Sequence, residues 1–244
     1  MTLVPLTQHP AVVAGATSDI GRAVCLSLAA AGARLCLLGR DASALEALAK
    51  SVRSLTDEVF VYPVDITVDA SVTALAARLG RDLGRVDVLV HSAGVFEMGP
   101  HGTAPVVDLD RQYQANVRGP FLLTQALLPL LRASRGQIVF VNSTVGLEAR
   151  AGVGQYASTQ HALRAIADAL RAEVNPDGVR VLTVYLGRTA TARQARIFRL
   201  EGRPYAPGLL IQPDDVAEIV LAALRLPRTA EVTEIRMRPL VKSY

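Results

Sequence analysis

The sequence predicts an α/β fold: a single doubly wound domain over residues 1–244, whose seven-stranded, mostly parallel sheet is flanked by helices on both faces. Three observations support this prediction. Short apolar runs alternate with longer helical patterns, the runs are almost continuously apolar, and no linker or internal repeat divides the chain. Continuously apolar strands indicate burial on both faces of a parallel sheet. Strands that alternate with helices in this way are connected by right-handed crossovers.

Seven apolar runs are the predicted strands, at 11–15, 34–39, 59–64, 86–92, 137–143, 179–185 and 233–237. Helical patterns lie between them, at 20–32, 43–55, 71–83, 107–134 and 156–175. In an open sheet of this kind, ligands bind beyond the carboxyl ends of the strands. Residues that directly follow the predicted strands are therefore the first candidates for function.

Composition excludes several classes of function. Half of the residues are hydrophobic and a fifth are charged, which is ordinary for a soluble enzyme. The net charge of +4 comes from scattered basic residues, so no nucleic-acid partner is expected. The longest apolar stretch, from Phe121, is too short and polar to cross a membrane, and no secretory signal is evident, so a cytoplasmic protein is expected. Four separated histidines and two unpaired cysteines predict no metal site.

The first predicted strand ends in the glycine-rich stretch A-G-A-T-S-D-I-G, which leads directly into a helix. Small residues let the backbone approach a pyrophosphate, and the helix N-terminus offers it free N–H groups and positive potential. The position of this stretch in a strand–helix–strand unit favours dinucleotide binding. The alternative is that these small residues serve only the packing of a tight turn between strand and helix. The candidate contacts are Gly15, Thr17, Ser18, Asp19, Ile20 and Gly21.

Three further strand ends bear on the cofactor. The second strand is followed by Arg40, a planar cation suited to a 2′-phosphate, where an acidic residue would favour NAD. The sequence therefore predicts NADPH rather than NAD, although Arg40 could simply begin a helix. Asp65, after the third strand, is a candidate for the adenine amino group or for local capping of a turn. The small residues after the fourth strand, which would let a ribose pass close, are Ser92, Ala93 and Gly94.

With four later features added, the chain resembles the tyrosine-dependent short-chain dehydrogenase/reductase family over almost its whole length. Asn116 in NVRGPF, Ser143 in IVFVNSTVG and Tyr156, thirteen residues after Ser143, match the active-site Asn, Ser and Tyr of that family. The stretch YLGRTAT matches the segment that binds the nicotinamide carboxamide. The resemblance implies a Rossmann domain that binds a nicotinamide dinucleotide, with further contacts from Ile66, Gly187, Thr189 and Thr191.

The resemblance also implies roles for the catalytic residues. Tyr156 would donate a proton to the substrate oxygen, Ser143 would hold that oxygen by a hydrogen bond, and Asn116 would support the helix and a water chain. The lysine of the family binds the nicotinamide ribose and lowers the tyrosine pKa, but Gln160 stands in its place. A glutamine amide can still hydrogen-bond a ribose hydroxyl. It supplies no positive charge.

The neutral residue at 160 has unequal consequences for the two directions of reaction. A nearby unit charge shifts a pKa by about one to three units, so a tyrosine without the cation stays neutral at pH 7. Carbonyl reduction starts from neutral tyrosine, whereas alcohol oxidation needs the tyrosinate. The predicted activity is therefore reduction of a carbonyl with NADPH. Four residues are candidates for a replacement cation: His161, Arg164, Arg188 and Lys242.

Three other positions depart from the pattern of the family. Asp19 occupies the place of the middle glycine, Ser92 replaces an Asn, and Leu186 replaces a Pro. Asp19 is predicted to cap the helix that begins at Ile20, but it also brings negative charge near the expected pyrophosphate. Asp19 and Gln160 together leave a second interpretation, in which the chain is a weak or inactive dinucleotide-binding homologue that acts as a sensor, scaffold or partner subunit.

Three loops are predicted to surround the reacting carbonyl, at 95–108, 144–155 and 187–211. The third, called the lid segment below, is long and rich in Gly, Pro and Arg, as expected of a lid over a cofactor. The family resemblance implies a homodimer or homotetramer. Apolar side chains in the loops indicate a partly apolar ketone or aldehyde as substrate, namely Val95, Phe96, Met98, Leu147, Val153, Ile197 and Phe198.

Overall fold

A computed structural model describes residues 4–56 and 58–241 and contains one seven-stranded sheet, in the order β3-β2-β1-β4-β5-β6-β7. Every pair of neighbouring strands is parallel, which confirms the predicted doubly wound fold and makes the sheet wholly rather than mostly parallel. The strands are β1 (Pro10–Ala14), β2 (Arg34–Gly39), β3 (Val59–Pro63), β4 (Val88–His91), β5 (Gln137–Ser143), β6 (Arg180–Leu186) and β7 (Glu234–Met237).

Eight α-helices connect and cover the strands in the described part of the chain. One face of the sheet packs against α1, α2 and α8, and the other packs against α3, α5 and α6. The helices are α1 (Asp19–Ala30), α2 (Ala42–Val52), α3 (Asp69–Leu83), α4 (Val106–Tyr113), α5 (Gly119–Ser134), α6 (Gly154–Val174), α7 (Ala192–Leu200) and α8 (Pro213–Leu224). No helix of the described ranges is long and apolar enough to cross a membrane.

The core consists of two apolar layers, one on each face of the sheet. Val12 and Val13 are adjacent on β1 and fully buried, yet they belong to different layers because successive strand residues point to opposite faces. This double burial explains why the strands read as continuous apolar runs rather than alternating ones. Cys25 and Cys36 are both buried and unpaired, and burial raises the pKa of both thiols.

The long helix predicted over 107–134 is confirmed in its extent, but its hydrogen-bond pattern changes in the middle. Between α4 and α5, residues Gln114–Arg118 form a π-helical turn whose closing N–H bonds five residues back. Pro120, the second residue after this turn, lacks the N–H that would bond to the Asn116 carbonyl in a regular α-helix. The turn places Asn116 toward the carboxyl ends of the central strands, where it is buried.

Strand order fixes the position of the site. The chain passes from β1 outward to β2 and β3, then returns to β4 on the other side of β1. The connections that leave the carboxyl ends of β1 and β4 therefore diverge, and this opens a crevice of the kind in which doubly wound sheets bind ligands. The glycine-rich turn after β1, the small residues after β4 and the end of β5 all meet there.

Candidate active site

The glycine-rich turn packs directly against the segment that follows β4. Gly15 has a φ of +79°, and a Cβ placed on it would lie 2.5 Å from the Ala93 nitrogen. A Cβ on Gly21 would lie 2.1 Å from the Gly15 oxygen. Both glycines are required by this close approach, which brings the backbone of the turn to the mouth of the crevice.

Ser18, rather than Asp19, caps α1, so the sequence-based prediction for Asp19 is wrong. The Ser18 Oγ accepts a hydrogen bond from the Gly21 N–H at 3.0 Å and lies 3.2 Å from the Ser92 Oγ. Asp19 is the first residue of the helix, and its Oδ2 instead accepts a hydrogen bond from the Ala192 N–H at 2.9 Å. Its carboxylate therefore stabilises the N-terminus of α7 and joins the glycine-rich turn to the lid segment.

Asn116 anchors the π-helical turn to two neighbouring elements. Its Oδ1 accepts from the Val95 N–H at 2.8 Å, and its Nδ2 donates to the Val95 carbonyl at 2.9 Å. The same Nδ2 donates to the Thr159 Oγ1 on α6 at 3.1 Å. The buried amide thus fixes α6, which carries Tyr156 and Gln160, relative to the segment that follows β4.

Tyr156 and Ser143 face a common cavity of about 700 Å³. Ser143 is the last residue of β5, and Tyr156 lies in the first turn of α6. The Phe96 ring packs edge-on against Tyr156 with a centroid distance of 4.9 Å. Burial raises the pKa of Tyr156, while the positive charge of Arg193 and hydrogen bonding with Ser143 and Arg193 act in the opposite direction.

Gln160 is buried one turn after Tyr156 and also lines the cavity. Its side-chain Nε2 donates to the Thr159 Oγ1 at 3.3 Å, and its backbone carbonyl accepts from the Asn142 Nδ2 at 3.0 Å. The amide is therefore already engaged, weakly, with the threonine that also holds Asn116. It brings no charge to the site.

The predicted substitutes for a cation at position 160 have other partners. His161 Nδ1 lies 2.9 Å from a backbone carbonyl of its own helix, and Arg164 pairs with carboxylates on α6 and β7. Arg188 forms an ion pair of 2.7 Å with Glu201 within the lid segment. Lys242 lies outside the described residues. The sequence reasoning missed Arg193, whose positive charge favours a lower pKa for Tyr156.

The carboxyl ends of β2 and β3 lead into two further predicted contacts, Arg40 and Asp65. Arg40 is exposed at the start of α2, and its charge reaches Asp65 after β3. The Asp65 Oδ1 accepts from the Thr67 hydroxyl at 2.7 Å and from the Thr67 N–H at 2.9 Å. These bonds, with a smaller contribution from Arg40, lower the pKa of Asp65. Asp65 therefore caps its own turn, as the alternative reading of the sequence expected, while Ile66 packs into the core.

Most of the predicted site residues share the cavity. Gly15, Gly21, Arg40, Asp65 and Ile66 are not among the residues that line it. Of the apolar loop residues, Phe96, Val153 and Ile197 line it. The predicted residues that line the cavity are Thr17, Ser18, Asp19, Ile20, Ser92, Ala93, Gly94, Asn116, Ser143, Tyr156, Gln160, Gly187, Thr189 and Thr191. No group of three or more His, Cys, Asp or Glu side chains in the described ranges is placed to hold a metal ion.

Comparison with known proteins agrees with this geometry. Residues 9–201 match the short chain dehydrogenase family. An uncharacterized oxidoreductase of Staphylococcus aureus (strain USA300) is 31% identical over 235 residues, which cover 96% of this chain and 98% of that protein. This chain belongs to the short-chain dehydrogenase family. The glycine betaine reductase ATRR of Emericella nidulans is 32% identical over 241 residues, but the chain spans only 19% of that longer protein.

Solved structures of short-chain dehydrogenases superpose closely on this one. A metagenomic short-chain oxidoreductase in complex with NADP has a TM-score of 0.84 at 27% identity, with 98% of this chain and 100% of that chain covered. A putative short-chain dehydrogenase of Escherichia coli CFT073, complexed with NADPH, has a TM-score of 0.87 at 29% identity, with coverages of 95% and 98%. The chain is therefore an oxidoreductase of the short-chain dehydrogenase type.

The lid segment of this dehydrogenase is ordered by contacts that the sequence did not reveal. Thr191 caps α7 by accepting from the Gln194 N–H at 3.1 Å. Arg193 Nη2 donates to the Gly94 carbonyl at 2.5 Å, and Arg196 pairs with Glu97 at 2.6 Å. Arginines three residues apart lie on one face of a helix. That spacing indicates a shared helix face, but it does not reveal that the face meets Gly94 and Glu97.

Proposed function

We propose that this short-chain dehydrogenase reduces the carbonyl of a partly apolar ketone or aldehyde with NADPH, and that Tyr156 is the proton donor. The observation that carries the proposal is the shared cavity: the hydroxyls of Tyr156 and Ser143 face a space that continues to the glycine-rich turn. Phe96, Val153 and Ile197 give this space apolar walls. A carbonyl group could therefore meet both hydroxyls within an apolar surrounding.

The residues present fit a dinucleotide. The turn at Gly15 is so close to Ala93 that a side chain would fill the cradle, and α1 begins there with free N–H groups. NADPH, when bound, supplies a hydride to the carbonyl carbon. Several similar structures are complexes with NADP or NADPH, which supports this choice of cofactor. We assign the contacts to Thr17, Ser18, Ile20, Arg40, Asp65, Ser92, Ala93, Gly94, Gln160, Gly187, Thr189 and Thr191.

Two side chains then have separate roles at the substrate oxygen. The Tyr156 hydroxyl donates its proton to that oxygen, and the Ser143 hydroxyl holds it in place by a hydrogen bond. The raised pKa keeps Tyr156 neutral at pH 7, which is the form that reduction needs. Asn116 holds α6 in register through Thr159, so that both hydroxyls keep their positions. The Phe96 ring packs edge-on against Tyr156 and helps to hold that ring in place.

Oxidation of the corresponding alcohol is expected to depend steeply on pH. Oxidation needs Tyr156 as the tyrosinate, and a raised pKa makes that form scarce near neutrality. The rate should rise by about tenfold per pH unit between pH 7 and pH 10, because the tyrosinate population rises in that proportion below its pKa. Steady-state oxidation rates over this range, at saturating cofactor, provide the measurement. A rate that stays flat would contradict the assignment of Tyr156.

The Arg40→Ala variant is expected to lose preference for NADPH. A charged hydrogen bond contributes about 1.5–3 kcal/mol, so NADPH affinity should fall by roughly ten- to a hundredfold while NADH affinity is unchanged. Fluorescence titrations with both cofactors measure the two affinities. Arg53→Ala, at the other end of α2, is the matched control because its exposed ion pair with Glu46 contributes little. An equal loss for both cofactors would show that Arg40 does not contact the 2′-phosphate.

A second function is favoured by one observation. Gln160 leaves α6 without a cation beside Tyr156, so the chain could bind the dinucleotide with little turnover and act as a sensor, scaffold or partner subunit. Binding titrations with NADPH, followed by consumption of NADPH over a panel of apolar ketones and aldehydes, separate the two. Binding with substrate-dependent consumption supports the reductase. Binding without consumption supports the second function, and absence of binding contradicts both.

We also propose that the protein assembles as a homodimer or homotetramer. Val106 and Val107 on α4 and Phe121 on α5 are exposed large apolar side chains on neighbouring helices. Burial of such side chains stabilises an interface by roughly 25 cal/mol per Å². Light scattering of the purified protein measures the assembly, and a monomer at micromolar concentration would contradict this proposal.

A further inference from the structure

Arg193 lies at the second position of α7, inside the lid segment, and reaches across the crevice. Its Nη2 donates to the Gly94 carbonyl at 2.5 Å, beyond the end of β4. Arg193 and Tyr156 line the same cavity. Residue 160, on the helix of Tyr156 itself, is neutral. A residue far along the chain thus brings a positive charge to the place where α6 supplies none.

Three contacts fix α7 in this position. The Asp19 carboxylate accepts from the N–H of Ala192, which directly precedes Arg193. Thr191 caps the same helix end. One turn further on, Arg196 pairs with Glu97 in the loop after β4 at 2.6 Å. The start of α7 is therefore attached both to the glycine-rich turn and to the opposite wall of the crevice.

Two other charged groups at the cavity are engaged elsewhere. Arg188 is paired with Glu201, and the Asp19 carboxylate faces the backbone of α7. The positive charge of Arg193, which reaches the Gly94 carbonyl across the crevice, favours a lower pKa for Tyr156. Besides Arg193, the charged residues that line the cavity are Asp19, Glu148, Arg150, Arg188, Glu201 and Arg238.

We propose that Arg193 is the positioning cation of this active site: held by Asp19 through the start of α7, it stabilises the tyrosinate form of Tyr156 in place of a charge on α6. This inference rests on the proposed function for its catalytic meaning. The effect of the Arg193 charge on the ionisation of Tyr156 involves only residues of the chain and does not depend on that function. Asp19 and Gln160 are then coupled, because the carboxylate at 19 holds the helix that compensates for the neutral amide at 160.

The direct test is the ionisation of Tyr156 without cofactor or substrate. Protein labelled with ¹³C at tyrosine Cζ gives one resonance per tyrosine, and the resonance that disappears in Tyr156→Phe identifies Tyr156. In Arg193→Gln, the ratio of tyrosinate to tyrosine at a given alkaline pH should fall by about tenfold, since removal of a nearby opposite charge moves a pKa by about one unit at a partly exposed site. Arg193→Lys should keep most of the parent ratio.

The matched control is Arg199→Gln, which removes the same charge from the exposed outer part of α7. It should leave the Tyr156 ionisation unchanged. An unchanged ratio in Arg193→Gln, or an equal change in Arg199→Gln, would overturn the proposal. Tighter NADPH binding by Arg193→Gln with unaltered Tyr156 ionisation would also overturn it, because Arg193 would then merely occupy cofactor space.

A second comparison tests whether Arg193 and a cation at position 160 act on the same ionisation. Gln160→Lys should raise the tyrosinate ratio more in the Arg193→Gln background than in the parent, because only the former lacks a cation near Tyr156. Equal increases in the two backgrounds would mean that Arg193 and residue 160 act independently, which contradicts the proposal. None of these ionisation measurements depends on turnover. A protein with the expected ionisation but no reductase activity would refute the proposed function and leave this inference standing.

Asp19 can be examined in the same way. Asp19→Gly removes the acceptor for the Ala192 N–H and should lower the tyrosinate ratio in the same direction as Arg193→Gln, by a smaller factor. Asp19→Asn keeps an oxygen acceptor and should preserve more of the ratio. If Asp19→Gly leaves the ratio at the parent value, Asp19 does not position Arg193, and this part of the proposal fails.

Discussion

The Tyr156→Phe variant is expected to lose carbonyl reduction by about 10²–10⁴-fold, the usual contribution of a positioned general acid. The loss follows from the removal of the hydroxyl that faces the cavity beside Ser143. The phenyl ring should keep its edge-on packing against Phe96, so the fold and the binding of NADPH should be nearly unchanged. The effect should therefore appear in kcat, because the proton is transferred only in the chemical step.

Steady-state kinetics of the parent and the variant, together with NADPH titrations, measure this effect. Tyr113→Phe is the matched control, because Tyr113 is an exposed tyrosine at the end of α4 that does not line the cavity. Its activity should equal that of the parent. Reduction at the parental rate by Tyr156→Phe would show that the proton comes from another donor, and the assignment of the active site would then fail.

The Gly15→Ala variant is expected to bind NADPH roughly ten- to a hundredfold more weakly, because a strained backbone position costs about 1–3 kcal/mol. The added Cβ would lie 2.5 Å from the backbone nitrogen of Ala93, at a φ of +79° that favours glycine. The turn must move away from the end of β4, and the cradle for the pyrophosphate moves with it. Thermal unfolding should occur at a lower temperature.

Gly80→Ala provides the control for this substitution. Gly80 lies in α3, and a Cβ there would have no neighbour within 4 Å. Alanine in a helix interior is favoured over glycine by about 0.5–1 kcal/mol, so this variant should be slightly more stable than the parent. NADPH affinity should not change. If Gly15→Ala also binds like the parent, the glycine-rich turn is not the cofactor site.

The strands of the sheet could be predicted from the sequence because burial on both faces produces continuous apolar runs. Strands β2 and β5 begin and end where the apolar runs do, and the remaining strands differ from the runs by one or two residues at their ends. The π-helical turn between α4 and α5 was missed because the helical pattern continues through it. Pro120 removes one helical donor there, and the turn lets the Asn116 side chain reach the backbone of Val95 and the hydroxyl of Thr159.

Part of the candidate site could also be predicted, because some of its residues directly follow strands. Residues that follow strands, such as Ser143, could be placed at the crevice because strand ends share one edge of the sheet. The contact of Asp19 with Ala192 joins residues 173 positions apart, and the contact of Arg193 with Gly94 spans 99 positions. Neither follows from any local pattern. Both depend on how the lid segment folds back over the crevice, which only the structure reveals.

The central claim is that this short-chain dehydrogenase transfers a hydride from NADPH to a carbonyl while Tyr156 protonates the oxygen. The most direct test uses NADPH that carries deuterium at both nicotinamide C4 positions, incubated with the protein and a panel of apolar ketones and aldehydes. Mass spectrometry then locates the label. We expect an alcohol with deuterium on its carbinol carbon, formed by the parent and about 10²–10⁴-fold more slowly by Tyr156→Phe. Tight NADPH binding without any labelled alcohol would contradict it.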